Sequence, residues 1–254
     1  MPKYRSICLF LCTIFLLTGC HNNLPSGVTE VGPTETMFTE DVTSGTLPTS
    51  GVYPLTESLL EFLEKNPEAK DFVMNYPLKK DLKPNIDLSN HLNSQNVPLL
   101  IQWDERWGYM EYAGELMGLS GCGPTCLSMV CIHLLNDARY TPRYIAEFAT
   151  ENGYSVSGNG SAWTLISEGG RKLGLDVTEI PLVERRIIQN LEIGNPIICV
   201  VGPGFFTTTG HYIVMTGYSD GYVKINDPNS PNRSAQMWKL TEVMEQIRNL
   251  WVCR

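Results

Sequence analysis

Apolar positions recur at helical spacing beyond residue 121. Cys126, Leu127, Met129, Val130, Leu134 and Leu135 predict a buried helix opened by Gly121-Cys122-Gly123-Pro124-Thr125. Pro124 suits the start of a helix, and the two glycines permit a tight, closely packed turn. Upstream, residues 56–65 carry Leu59, Leu60, Phe62 and Leu63 on one side, an amphipathic helix that Asn66-Pro67 breaks. Phe72-Val73-Met74 continues the apolar contact, and Lys79 to Pro84 reads as a solvated connector, so residues 54–92 form a helical prelude packed on the rest. Residues 97–102 read as an entry strand, residues 141–150, 161–173 and 182–191 as helices, and residues 196–201 as a buried strand.

A second buried strand follows at Gly210-His211-Tyr212-Ile213-Val214-Met215-Thr216-Gly217-Tyr218, then the turn Ser219-Asp220-Gly221 and a return strand from Tyr222 to Asp227. With Tyr218 paired to Tyr222, Asp227 falls opposite Ile213 and diagonal to His211. Diagonal neighbours on one face lie roughly 7–8 Å apart at the backbone, within reach of a carboxylate and an imidazole. Helices come first and strands later, which predicts an α+β architecture: an amino-terminal helical layer packed on a carboxy-terminal antiparallel sheet.

These positions carry chemistry. A thiol at the amino end of a helix sits at the positive end of the dipole, where, with an imidazolium beside it, thiol pKa values fall to roughly 3.5–7.5. Cys122 is thus a candidate nucleophile, His211 its base and Asp227 the group that orients the ring. The rival His133 lies eleven residues along the same helix on the same face, and an axial rise of about 16 Å keeps it from Cys122. Each residue alone has a plainer reading, a packed small side chain, a strand histidine and a turn aspartate; their conjunction favours the chemical one.

Composition narrows the class. The chain has 254 residues, 43% hydrophobic and 18% charged, enough for one sizeable core. A formal charge of −8 and a pI near 5.1 argue against nucleic acid as a partner. Lys3 and Arg5 precede an apolar run over residues 7–17 that is too short for a permanent membrane span, and Leu17-Thr18-Gly19-Cys20 resembles a bacterial lipobox. That resemblance implies a signal peptide over residues 1–19, a lipid on Cys20 and retention at the extracytoplasmic face of the bacterial membrane; an ordinary secretory signal is the alternative. Residues 20–53, rich in Thr, Ser, Pro, Gly and acidic residues, read as a disordered tether. On that reading Cys8 and Cys12 leave with the signal and Cys20 carries the lipid, so Cys122, Cys126, Cys131, Cys199 and Cys253 remain, an odd set in which at least one thiol has no partner within the chain. No Cys-x-x-Cys spacing occurs and histidine is scarce, so neither a metal nor another cofactor is expected.

Val97-Pro98 to Gln102-Trp103-Asp104, Gly121-Cys122-Gly123-Pro124-Thr125, Gly210-His211-Tyr212-Ile213-Val214 and Asn226-Asp227-Pro228 resemble, in order, the motifs of papain-like cysteine peptidases related to the bacteriocin-leader (double-glycine) peptidases. The resemblance covers about residues 97–254 and implies a papain-like domain over residues 93–254. It also implies Cys122 as nucleophile, His211 as general base and acid, Asp227 as orienting group and Gln102 as an oxyanion-hole donor. In many relatives the glutamine lies only a few residues before the cysteine, whereas here residues 103–121 intervene. Gly121, Gly123, Trp103 and Gly210 are the candidate substrate contacts, with packing against the core as the alternative for Trp103. The Gly- and Thr-rich segment 201–210 reads either as a cleft rim or as a loop without substrate contact. The expected activity is hydrolysis of a peptide or isopeptide bond in an extracytoplasmic peptide or protein; acyl transfer, cell-wall amidase chemistry and a catalytically silent peptide-binding lipoprotein are the alternatives.

Overall fold

The computed structural model describes residues 55–254; the expected signal peptide, tether and lipidated Cys20 lie outside the described residues. The elements follow in the order α1 (Glu57–Lys65), α2 (Lys70–Lys79), a short hairpin β1 (Glu111–Tyr112) and β2 (Glu115–Leu116), α3 (Met117–Ser120), α4 (Cys122–Leu135) and α5 (Pro142–Glu151). A second small hairpin, β3 (Ser155–Val156) and β4 (Gly160–Ser161), precedes α6 (Gly170–Lys172), β5 (Val177–Glu179) and α7 (Glu184–Glu192). Then come β6 (Ile197–Val201), β7 (His211–Ser219), β8 (Tyr222–Asn226), α8 (Pro231–Ser234), β9 (Met237–Lys239), α9 (Leu240–Met244) and β10 (Ile247–Cys253). Six strands form one antiparallel sheet in the order β5-β10-β6-β7-β8-β9. The architecture is α+β, helices first and sheet later.

The sheet is covered on both faces, which is why β6 is buried at every position. Ile198, Val200, Tyr212, Val214 and Trp251 join α4 and α5 in one apolar cluster. Ile197, Cys199, Val201, Ile213 and Met215 alternate to the other side, where Ile187 and Leu191 of α7 and Leu240 and Val243 of α9 cover them. Local signals set the helix ends. Thr56 accepts from the Leu59 N–H at the start of α1, and Thr141 accepts from the Tyr144 N–H at the start of α5, with Pro142 in the first turn.

Two expected elements differ. Residues 97–102 join no ladder; Asn226 Nδ2 donates to the carbonyls of Val97 and Pro98, and the Gln102 N–H donates to the Pro228 carbonyl. A side-chain amide and a turn thus satisfy a segment whose Pro98 has no N–H to give a ladder. The helix expected over residues 161–173 is a π-helical stretch, Leu165–Gly169, followed by α6, because Ser161 is paired with Ser155 in the small hairpin.

The β7–β8 hairpin reaches the expected juxtaposition by another route. Asp220 and Gly221 both have positive φ, 50° and 87°, and form a two-residue turn in which Ser219, not Tyr218, opposes Tyr222. The register then slips by one residue at Thr216, so that Met215 pairs with Ile225 and Val214 with Asn226. The two departures cancel, and Asp227 continues the strand to the level of Ile213.

The prelude is anchored by Phe72, buried and stacked on Tyr109 with centroids 4.6 Å apart. Leu59, Phe72, Val73 and Tyr109 form a third apolar cluster, against which Trp103 packs. Replacing Phe72 with Ala should cost about 3–5 kcal/mol of stability, whereas Leu78→Ala on the same helix, 80% exposed, should change it by less than about 0.5 kcal/mol. Urea unfolding of the two variants checks this; equal midpoints would show that the prelude is not part of the cooperative unit.

Candidate active site

Antiparallel pairing places the start of β7 and the end of β8 at the same end of the sheet, so His211 and Asp227 meet there. His211 Nε2 and Asp227 Oδ1 are 2.8 Å apart, and both residues are buried. With Nε2 on the carboxylate, Nδ1 is the ring nitrogen left for sulfur. The Cys122 thiol, on the first residue of α4, faces the His211 side chain and the backbone N–H groups of Gly123 and Tyr212, all of which favour its charged form. A helix from the first half and two strands from the second therefore converge on one thiol-imidazole-carboxylate row.

Asp227 has further partners that the sequence did not disclose. Its Oδ1 also accepts from the Asn229 N–H at 2.8 Å, its Oδ2 accepts from Arg233 Nε at 2.6 Å, and its own N–H donates to Ser234 Oγ at 2.8 Å. Burial opposes the charged carboxylate, but His211 and Arg233 outweigh it and hold the group below the usual carboxylate range. Burial likewise opposes the imidazolium, yet Asp227 and Cys122 raise His211 to about 10. The Cys122 thiol, pushed up by burial, is drawn down further by His211 and the two N–H groups, so its pKa lies below the ordinary thiol value. The four other thiols described, Cys126, Cys131, Cys199 and Cys253, are buried, free and pushed up by burial. Among the described residues, only Cys122 is shifted toward the thiolate.

A cleft opens beside Cys122 and His211, lined by Glu115, Leu119, Ser120, the small hairpin from Gly158 to Ser161, Trp163, Val200, Thr209, Gly210 and Tyr212. Of the candidate contacts, Gly210 lies on this lining. Gly121 and Gly123 serve close packing instead: a Cβ on Gly121 would come within 2.5 Å of Met117 Cγ, and one on Gly123 within 2.5 Å of Ser161 Oγ. Trp103, expected on the cleft wall, is turned to the prelude, and its Nε1 donates to the Asn229 carbonyl at 3.2 Å. Gln102 is buried, with Nε2 donating to the Gly118 carbonyl at 2.8 Å and Oε1 without a hydrogen-bond partner. Only the last two residues of the segment 201–210 reach the cleft. Phe205 and Phe206 pack on Trp238, and the Phe205 N–H donates to Gln246 Oε1 at 2.7 Å. His133 lines a different groove, with Val97, Thr216 and Lys224.

Trp163 was not anticipated from the sequence. Its ring is half exposed on the cleft and meets Trp251 edge-on at 6.2 Å. Its position after the Gly158–Ser161 hairpin, in a stretch read as helix, concealed it. Arg233 was equally hidden, since a one-turn helix has no periodicity to betray which side chain turns back toward Asp227.

The chain is similar to the peptidase domain of Streptococcus ComA, a bifunctional ABC transporter of a quorum-sensing pathway, at 22% identity over 52% of this chain and 89% of that one, with a TM-score of 0.43. A C39-like protein from Bacillus anthracis aligns at 14% identity over 67% and 98% of the two chains, TM-score 0.41. A double-glycine-motif protease from an AMS/PCAT transporter, solved with a leader peptide, aligns at 17% identity over 63% and 94%, TM-score 0.38. No curated protein matches the chain. The model of the Peptidase_C39 like family matches residues 94–253, the span that contains the cysteine helix, the six-stranded sheet and the cleft between them, and the chain belongs to that peptidase family.

Proposed function

We propose that this protein is a thiol peptidase, anchored by a lipid on Cys20 at the outer face of a bacterial membrane, that hydrolyses peptide bonds through Cys122, His211 and Asp227. The observation that carries the reading is the selective treatment of one sulfur: of five thiols described, the one on the cleft is drawn down by an imidazole whose Nε2 is held by a carboxylate at 2.8 Å. In this mechanism the Cys122 thiolate attacks the carbonyl carbon of a peptide lying in the cleft. The C=O π electrons move to oxygen, and the oxyanion is held by the Cys122 N–H at the head of α4. Gln102 contributes there only through whatever donor capacity its Gly118 contact leaves free. The tetrahedral intermediate collapses with transfer of the His211 proton to the leaving amine, giving a thioester. Neutral His211 then takes a proton from water as that water attacks the acyl carbon, and the thiolate departs. Asp227 keeps the ring oriented throughout and stabilises its charged form.

Three outcomes test this. In a peptide-library digest, Cys122→Ala should abolish every cleavage that the parent makes, and His211→Ala should lower kcat/KM by about 10²–10⁴; identical digests from parent and Cys122→Ala would remove the assignment, and products joined to an added amine would mark a transferase.

The pH profile has a definite sign. Attack needs Cys122 without its proton, so activity rises with pH through the depressed thiol value; departure of the amine needs His211 with its proton, so activity falls as pH passes about 10. A bell-shaped kcat/KM is therefore expected, with its acid limb below the roughly 8.5 of a free thiol. A single ascending limb tracking free cysteine would count against the ion pair.

The anchor is tested apart from the chemistry. Cys20→Ser should move the protein from the membrane fraction to the soluble one and leave peptide hydrolysis unchanged, and an unchanged distribution would refute the lipid.

A further inference from the structure

Residues 55–92 lie outside the span that the family model matches, and none of them lines the cleft beside Cys122. They nevertheless touch both halves of the chemistry. On the nucleophile side, the Phe72 ring fills a slot between Gly108 and Gly118, where an added Cβ would come within 2.7 and 2.4 Å of it. Gly118 belongs to α3, directly before the turn that starts the cysteine helix, and its carbonyl takes the Gln102 amide.

The acid side is held more tightly. Asn66, itself buried, donates through Nδ2 to the backbone carbonyl of Asn229 at 3.0 Å and to its Oδ1 at 2.9 Å. Glu68 accepts from the Ser230 hydroxyl and, at 2.9 Å, from the Asn232 N–H. Those residues control the donors to Asp227. Asn229 gives its N–H to Oδ1, and Ser230 caps α8, whose Arg233 gives Nε to Oδ2. Apart from His211, both donors to the carboxylate, one a backbone N–H and one a guanidinium, thus come from a turn that the prelude grips from outside the family's matched span.

We propose that Asn66 and Glu68 are positioning residues of the thiol site, holding the 227–233 turn so that Asn229 and Arg233 keep the Asp227 carboxylate in line with His211. This rests on the thiol-imidazole reading above and deepens it: the prelude is a component of the site and not a removable blocking segment. Releasing the turn lets the carboxylate drift from the ring, the imidazolium loses its partner, and the thiol returns toward its ordinary value. The other groups facing the row leave that titration unobscured. Tyr112 from β1, Tyr212 from β7 and Cys126 from α4 are all pushed up by burial and stay neutral where Cys122 titrates, and Arg233 from α8 is a permanent cation.

The test is the pH dependence of iodoacetamide alkylation at Cys122, followed by peptide mass mapping, on the full-length chain and its His211→Ala, Glu68→Ala, Glu68→Gln and Asn66→Ala variants. The parent should label with a midpoint below that of free cysteine, and His211→Ala should abolish that depression. Glu68→Ala and Asn66→Ala should raise the midpoint by roughly 0.5–1 pH unit, and Glu68→Gln, which keeps an oxygen for the Ser230 hydroxyl, by less. A merely structural prelude would lower the thermal midpoint and leave the labelling profile in place, so coincident profiles for parent, Glu68→Ala and Asn66→Ala overturn the proposal. Should Glu68→Ala not fold, Asn66→Ala and Glu68→Gln decide by the same criterion. A parent that labels like free cysteine, with His211→Ala indistinguishable from it, overturns the thiol-imidazole reading itself and the positioning role with it.

Discussion

A carboxylate with no exposure to solvent is tolerable as an anion only when donors replace the water it has lost, and Asp227 is surrounded in that way by His211, Arg233 and the Asn229 N–H. The rest of the site follows from that requirement. Arg233 takes Oδ2, which leaves Oδ1 to the imidazole and the Asn229 N–H. Arg233, Asp227, His211 and Cys122 then form a row of alternating sign, neutral as a whole. Such a row can sit in a low-dielectric crevice at far smaller cost than any one member.

The fold assembles this row by dividing labour between layers. The helix α4, apolar almost throughout and buried from Gly123 to Ile132, presents its first residue where the sheet ends. The sheet, sealed between α4 on one face and α7 with α9 on the other, fixes the relative heights of β7 and β8 through backbone bonds. The thiol, the imidazole and the carboxylate thereby sit at the ends of rigid elements, and glycine-containing connections form part of the cleft wall.

Legibility in the sequence followed the range of the interactions involved. The cysteine helix, α5, α7 and the run β6 to β8 were readable because periodicity and turn residues are local signals, and so were the thiol, the imidazole and the carboxylate that they carry. The strand β10 was not, since its place between β5 and β6 comes from partners 46 to 76 residues away and it shows no clean alternation. Residues 97–102 looked like a strand for their apolar character, but what they pair with is the amide of Asn226, a contact that no window of sequence contains. Trp103 and Arg233 illustrate the same limit for side chains: an aromatic beside a motif suggested substrate, and a cation six residues after the acid suggested nothing, until the prelude and α8 were in place.

The hairpin carries a consequence of its own. Its tight tip and its single bulge each displace the pairing by one position in opposite senses, so the alignment of acid and base is encoded as a matched pair of backbone irregularities. A tip one residue longer with the bulge kept, or the bulge removed with the tip kept, would carry Asp227 off the level of Ile213 and away from the His211 ring. The spacing between His211 and Asp227 therefore tolerates a change at one irregularity only together with a compensating change at the other.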